Sequence, residues 1–411
     1  MSELKKYIDV DVFEMAKARI RYTFDHFEKI YISFSAGKDS SVMFHLVMDE
    51  AIKRKRKIGV LLIDLEAQYK LTMEHAETMF DYYKDHIELY WVCLPIKLRN
   101  SVSNYEPVWC AWEPSKKETW VREIPKREGV ISDIKYFDFF EPYMEFEEFV
   151  ELFAVWYSKG KSTGAFIGIR ADESLNRFRT IAIFDKDTHF GKRWTTGLFE
   201  NVFNIYPIYD WKVEDIWAYH AKFPDRPHNR VYDYMHLAGL TPAQMRICQP
   251  YGDDQKRGLW LYHIIEPETW GKVVARVNGA NSGALYIQET GNITGYNKIS
   301  KPEHHTWKSF CILLLSTMPK VTREHYLERF KSWIKNWQGR GYKLDIPDEA
   351  PHELENKYWA PSWRRLCKVL LRNDWWCKGL GLTQPRSEAY GKYLAIKAER
   401  KALSESPKNT S

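Results

Sequence analysis

What this sequence has little of is cysteine in any useful pattern: six in 411 residues, with no C-x-x-C pair and no Cys/His spacing of the zinc kind. Cys93, Cys110, Cys248, Cys311, Cys367 and Cys377 are widely scattered. A structural zinc or a clustered iron–sulfur site would need ligands brought together from distant parts of the chain, so neither is expected. No stretch approaches the roughly 18 apolar residues of a membrane span, which argues against a membrane protein. The opening M-S-E-L-K-K-Y lacks the apolar core of a signal peptide. These absences imply a reducing, cytoplasmic setting. Strong charge is missing too: a formal +6 suits a polyanionic ligand without demanding one. No internal repeat is found.

What is present is an ordinary globular composition, 44% hydrophobic and 28% charged, with an aromatic share of 15%. Tryptophans thicken toward the C-terminal end (Trp333, Trp337, Trp359, Trp363, Trp375, Trp376), a pattern of aromatic packing between helices. The pattern predicts a helix over 11–28, strand 30–34, helix 39–54, strand 59–64, helix 70–84 and strand 87–94. Apolar runs alternating with helical periods indicate an α/β fold with a doubly wound parallel sheet. Residues 100–147 break the rhythm and read as an inserted lid, after which a helix near 146–158 and strands at 165–169 and 202–208 resume it. Beyond about 245 the sequence turns helical and Trp-rich. The expected division is 1–245, 246–403 and a disordered tail at 404–411. The basic run K-R-K-R-K at 53–57 is read as a solvated helix end, favourable against the helix dipole.

One bend stands out. S-F-S-A-G-K-D-S-S (33–41) follows the apolar K-I-Y-I and precedes V-M-F-H-L-V-M. A loop at the carboxyl end of a parallel strand, opening into a helix, sits where such folds bind ligands, and the helix start offers unpaired N–H groups to an anion. Gly37 lets a ligand approach the backbone, Lys38 supplies a cation, and the hydroxyls of Ser35, Ser40 and Ser41 can donate to phosphate oxygens. The plainer alternative has Asp39 or Ser40 merely capping the helix. A Walker A loop is excluded, because Ile32 stands where its first glycine belongs and Asp39 follows the lysine.

The stretch S-x-S-A-G-K-D-S-S instead resembles the PP-loop of the N-type ATP pyrophosphatase and phosphoadenosine-phosphosulfate reductase superfamily, usually S-G-G-K-D-S. G-I-R-A-D-E-S-L-N-R (168–177) resembles that superfamily's arginine motif, and P-I-Y-D-W-K-V-E-D-I-W-A-Y-H (207–220) the segment that follows it. The resemblance implies an adenine nucleotide, ATP or a relative, bound with Mg²⁺ near Asp39 and cleaved between the α and β phosphates. It assigns nucleotide contacts to Ser33, Ser35, Ala36, Gly37, Lys38, Asp39, Ser40 and Ser41, joined by Asp64, Arg170 and Arg177, with catalytic roles for Lys38, Arg170 and Glu173. Asp64 lies in D-L-E-A-Q-Y where the superfamily has D-T-G, and the backbone of 63–65 would then meet the adenine; alternatively Asp64 caps the turn. Ala36 departs from the usual glycine and disfavours positive φ there.

The reductase branch needs a cysteine in E-C-G-x-H or paired cysteines, which are lacking. Cys248, in M-R-I-C-Q-P-Y-G-D-D-Q-K-R-G-L-W, is the one cysteine in a polar context. The whole layout resembles reductase-like proteins that include immunoglobulin-binding regulator A, which are often prophage-linked and encoded beside a ParB/sulfiredoxin-like nuclease partner. Three functions follow in descending order: α–β cleavage of ATP or adenylylation of an acceptor, a nucleotide-gated regulator of gene expression without turnover, and a sulfonucleotide reductase using Cys248. Direct nucleic-acid binding ranks lower, as no helix-turn-helix signature stands out.

Overall fold

The computed structural model describes residues 9–183, 186–242, 244–247, 251–252, 258–280, 299–342 and 345–384, with isolated positions 391, 392, 394, 395 and 398. Contacts divide the chain into two units. The first comprises Met1–Lys97, Cys110–Gln249 and Ser387–Ser411, and the second Leu98–Trp109 and Pro250–Arg386. The first ten residues of the segment expected as an inserted lid, 100–109, thus belong with the C-terminal residues.

The first unit opens with α1 (Val12–His26), whose first turn is capped by Asp11 accepting from the Glu14 amide at 2.8 Å. Then come β1 (Lys29–Ser33), α2 (Lys38–Lys53), β2 (Ile58–Ile63), α3 (Lys70–Tyr82) and β3 (Ile87–Val92). The strands β4 (Lys97–Arg99) and β5 (Val108–Cys110) pair with each other and lie mostly in the second unit, while β6 (Val130–Ile131), α4 (Phe146–Ser158), β7 (Thr163–Ile167), α5 (Leu175–Ala182), β8 (Thr195–Phe199), β9 (Val202–Ile205), α6 (Val213–Lys222) and α7 (Val231–Leu237) complete the first.

Seven strands form the sheet, in the order β6-β3-β2-β1-β7-β9-β8. All pairs are parallel except β8 with β9. Strands buried on both faces read as continuous apolar runs, which is why Ile30, Tyr31 and Ile32 in β1 and Val60, Leu61 and Leu62 in β2 are all buried. The chain runs outward from β1 through β2 and β3 on one side, then returns to lay β7 on the other. The crevice at the carboxyl end of β1 is therefore the topological switch point, where open α/β sheets bind ligands. Two strands escape the sequence pattern. β6 is two residues long, and β8 is short, antiparallel and joined to β9 by a turn with Asn201 at φ 62°.

The basic run at 53–57 closes the end of α1: Arg54 pairs with Asp25 and Glu50, while Arg56 donates to the carbonyls of Phe24, Phe27 and Glu28. In the second unit, Tyr326, Phe330, Trp333 and Trp337 recur at helical spacing along Lys320–Gly339 and bury one stripe with Trp307, Leu366 and Trp375. Tryptophan serves packing there; Trp359, 65% exposed, is the exception.

On one face of the sheet, Phe149, Phe153 and Tyr157 of α4 pack on Tyr31, Leu61 and Tyr90. Tyr157 reaches furthest. Its hydroxyl accepts from the Gly59 amide at 3.1 Å and donates to the Ile30 carbonyl at 2.9 Å, so the hydroxyl end of the ring sits against Gly59. A Cβ at Gly59 would stand 2.8 Å from that ring, which its two hydrogen bonds hold in place. Gly59→Ala is expected to cost about 1–3 kcal/mol of unfolding free energy by urea denaturation, the ordinary penalty for overpacking a core.

Candidate functional site

The bend predicted from sequence lies between β1 and α2. Phe34 leaves the strand with its amide on the Leu61 carbonyl, and Ala36 then adopts φ 56°, fully buried. The alanine takes the left-handed conformation that the sequence disfavours, at a cost of about 1–2 kcal/mol. Asn229 holds it there. Its Nδ2 donates to the Ala36 carbonyl at 2.9 Å and to Thr72 Oγ1 at 3.1 Å, while its Oδ1 accepts from the Val231 amide. Nothing local marks Asn229 beyond its place two residues after Pro227 and shortly before V-Y-D-Y-M.

Gly37 is the N-cap of α2, with no side chain capping the helix. Capping by Asp39 or Ser40, the plainer alternative, is not what these residues do. Ser40 and Ser41 instead turn back and donate to the Gly37 carbonyl at 3.0 and 2.9 Å, and Ser35 Oγ lies 3.0 Å from Ser40 Oγ. Ser41 is fully buried and 2.7 Å from His75 Nε2. With the one hydroxyl proton of Ser41 on Gly37, the His75 N–H is the donor. Ser41, expected to donate to phosphate, braces the loop instead, because both its hydrogen bonds are internal. Ser33 ends β1 inside the sheet, in register with Leu61 and Ile167.

Beside the loop lies a charged trio. Arg170 follows β7, only 3% exposed, and its Nε donates to Asp39 Oδ1 at 2.5 Å, while Lys38 Nζ stands 3.4 Å from Asp39 Oδ2. Gly168 makes the approach possible, since a Cβ there would meet the Ser40 backbone at 3.0–3.1 Å. Burial pulls the Lys38 pKa below the ordinary lysine value, opposed by the Asp39 carboxylate and reinforced by Arg170. Two cations against one carboxylate leave this pocket net positive. Asp39 does not fit as a Mg²⁺ ligand, because a cation already holds each of its oxygens. Among the described residues no group of three or more His, Cys, Asp or Glu side chains is placed to hold a metal ion.

The remaining expected residues are placed as follows. Glu173 pairs with Arg177, so it is an ion-pair partner and not a poised base, and its carbonyl accepts from Arg246. Asp64 is 1% exposed and faces inward, accepting from Trp91 Nε1 at 2.7 Å, from the Glu66 amide at 2.9 Å and from Arg122. The backbone expected to meet adenine is engaged as well: the Asp64 amide on Val92, its carbonyl with Trp112 Nε1, and the Leu65 amide on Gln68. Asp64 thus caps the turn after β2. Glu66, fully buried at φ 62°, accepts from the amides of Trp112 and Val121 and so ties the inserted segment to the end of β2. Cys248 lies outside the described residues. Cys93 is buried beside Asp64, and burial pushes its thiol pKa up.

Residues 29–234 match the phosphoadenosine phosphosulfate reductase domain, which takes in β1, the loop, the arginine segment and α6. The chain belongs to the phosphoadenosine phosphosulfate reductase domain family. A further match, to a domain of unknown function (DUF3440), covers 239–358. YbdN of Escherichia coli (strain K12), described as an uncharacterized protein, is 41% identical over 396 residues, 96% of each chain. Among solved structures, phosphoadenylyl-sulfate reductase of Candida auris in a phosphate complex covers 56% of this chain and 93% of its own at 11% identity (TM-score 0.28). NMN synthetase of Francisella tularensis covers 72% and 100% at 11% identity (TM-score 0.30). In this member of the reductase domain family, the loop, the arginine after β7 and the buried asparagine form one continuous wall at the switch point.

Two buried imidazoles brace that wall. His45 Nδ1 lies 2.7 Å from the Tyr83 hydroxyl and its Nε2 is 3.0 Å from the Pro227 carbonyl, while His75 holds Ser41. Burial lowers both to a pKa of about 3, and His220 to about 4. Between those values and the unfolded value of 6.5, the unfolded chain binds protons that the folded chain refuses. Stability is therefore full above pH 6.5 and falls as the pH drops, by about 2 kcal/mol per fully buried histidine at pH 5. Urea denaturation across pH 7 to 5 should show this loss, and His75→Gln should flatten its slope.

Proposed function

We propose that this protein binds an adenine nucleotide with its pyrophosphate portion at residues 35–40 and transfers the adenylyl group, breaking the α–β phosphoanhydride. The observation that carries this reading is the buried Lys38–Asp39–Arg170 trio, net positive, at the first turn of a 16-residue helix on the sheet's switch point. The helix start adds partial positive charge where an anion would rest. In the reaction an acceptor oxygen attacks the α phosphorus and the bond to the bridging oxygen breaks. Pyrophosphate leaves with the electron pair, and the acceptor's proton passes to solvent. Lys38 and the amides beside it stabilise the charge growing on the leaving pyrophosphate, and Arg170 holds Asp39 so that Lys38 keeps its position. Membership of the reductase domain family supports the nucleotide and leaves the chemistry to the residues. A ParB/sulfiredoxin-like partner belongs to the same proposal; a stoichiometric complex on co-expression, with nucleotide unconsumed, would favour the regulator over the enzyme.

ATP labelled at the α phosphate should give labelled AMP or a labelled acceptor, with pyrophosphate as the other product; ADP as the sole product would reject adenylyl transfer. Lys38→Met keeps the aliphatic stem and removes the charge. It should weaken ATP binding by roughly 1.5–3 kcal/mol, about tenfold or more by calorimetric titration. Because burial depresses the Lys38 pKa, wild-type affinity should fall as the pH rises through that lowered value, short of the 10.5 of a free lysine. Lys38→Arg should keep its affinity over the same range.

A further inference from the structure

The donors that would grip an anion are already satisfied by the chain's own oxygens. The Lys38 amide, the first of α2, donates to the Tyr232 hydroxyl at 3.0 Å, and the Lys38 ammonium donates to the Met245 carbonyl at 2.9 Å. The Tyr232 ring also lies under the ammonium, 5.3 Å from Nζ to centroid. These two oxygens stand at hydrogen-bonding distance from the same two groups that the proposed function gives to phosphate. They come from one run of sequence. Asn229 grips the Ala36 carbonyl, Tyr232 follows in α7, Met245 reaches Lys38, and Arg246 donates to the Glu173 carbonyl beside the arginine segment. The run is fastened from below by Val231 and Met235, both fully buried.

We propose that Tyr232 and Met245 form a self-occluding strap over the loop, occupying the anion's place until a diphosphate or triphosphate displaces them. This rests on the reading of the loop as a pyrophosphate site and adds its regulation. The exchange is favourable because a phosphate turns the neutral bond between the Lys38 amide and the Tyr232 hydroxyl into a charge-assisted one, about twice as strong, and gives the Lys38 ammonium a charged oxygen in place of a neutral carbonyl. The two ends of the strap differ. Asn229 supports the left-handed turn at Ala36 and stays, whereas the Met245 carbonyl sits on the Lys38 ammonium and must release it. Ligand binding is thus converted into movement of the residues just before Cys248.

Inorganic pyrophosphate is the probe, titrated calorimetrically into the full chain. Tyr232→Phe removes the occluding hydroxyl and keeps the ring, so pyrophosphate should bind roughly three- to tenfold tighter, the worth of one hydrogen bond no longer broken. Arg246→Ala frees the far anchor without touching the loop and should also tighten binding; melting curves establish that both variants are folded. In the wild type, amide hydrogen exchange at 244–247 should rise when pyrophosphate is added. Unchanged or weaker binding in both variants, with wild-type binding intact, overturns the strap and leaves the pyrophosphate site standing. No binding of pyrophosphate by wild type or either variant overturns the site and the strap together. Binding by the variants alone supports both.

Discussion

The left-handed turn at Ala36 is the constraint on which the site depends. A residue with a Cβ in that conformation is held against about 1–2 kcal/mol of steric cost, so something must fix it. Asn229 supplies that fixation from across the fold through the Ala36 carbonyl. With Ala36 turned over, Gly37 can begin a helix whose first amides face outward from the end of β1, and the serines behind it are free to fold back on the Gly37 carbonyl. Without the turn, the chain would leave β1 in another direction and Lys38 would not meet Asp39, Arg170 or Tyr232.

The second dependence is electrostatic. Lys38 and Arg170 are both nearly out of water, and buried charge is tolerated only when paired. Asp39 serves both cations at once, which leaves an excess of one positive charge in a pocket closed by the chain's own oxygens. A site built this way is strongly disposed toward an anion and poorly disposed toward a second cation. That is the physical reason Asp39 is unsuited to bind Mg²⁺ directly, whatever accompanies the nucleotide.

The wall behind the loop is made of neutral groups that must stay neutral. His45, His75 and Asn229 link α2, α3 and the 227–231 turn through hydrogen bonds. Protonating an imidazole there would place a charge out of reach of water. The same burial that makes the wall stiff at neutral pH makes it vulnerable to acid.

Much of this protein could be read in its sequence. The alternation of apolar runs and helical periods set the α/β class, the order of β1, α2, β2, α3 and β3, and the helical C-terminal region, because each of those elements is long enough for its own side chains to impose a period. The loop was legible for a related reason: glycine, lysine and serines between a buried strand and a helix have few other uses. The two-residue β6 and the antiparallel β8 left no periodic trace, since neighbouring strands and not local preference create them. Ser41 and Asp64 could be recognised as polar residues near the site but not assigned a direction. Whether a hydroxyl or carboxylate faces a ligand or the interior depends on partners such as His75, Trp91 and Arg122, which lie 27 to 58 positions away in sequence and meet it only through the fold. Asn229 and Tyr232 were invisible for the same reason. The sequence by itself determined which element carries the cation and where the helix starts; the tertiary structure alone decided what that cation touches, because hydrogen bonds across the fold have no signature in local spacing.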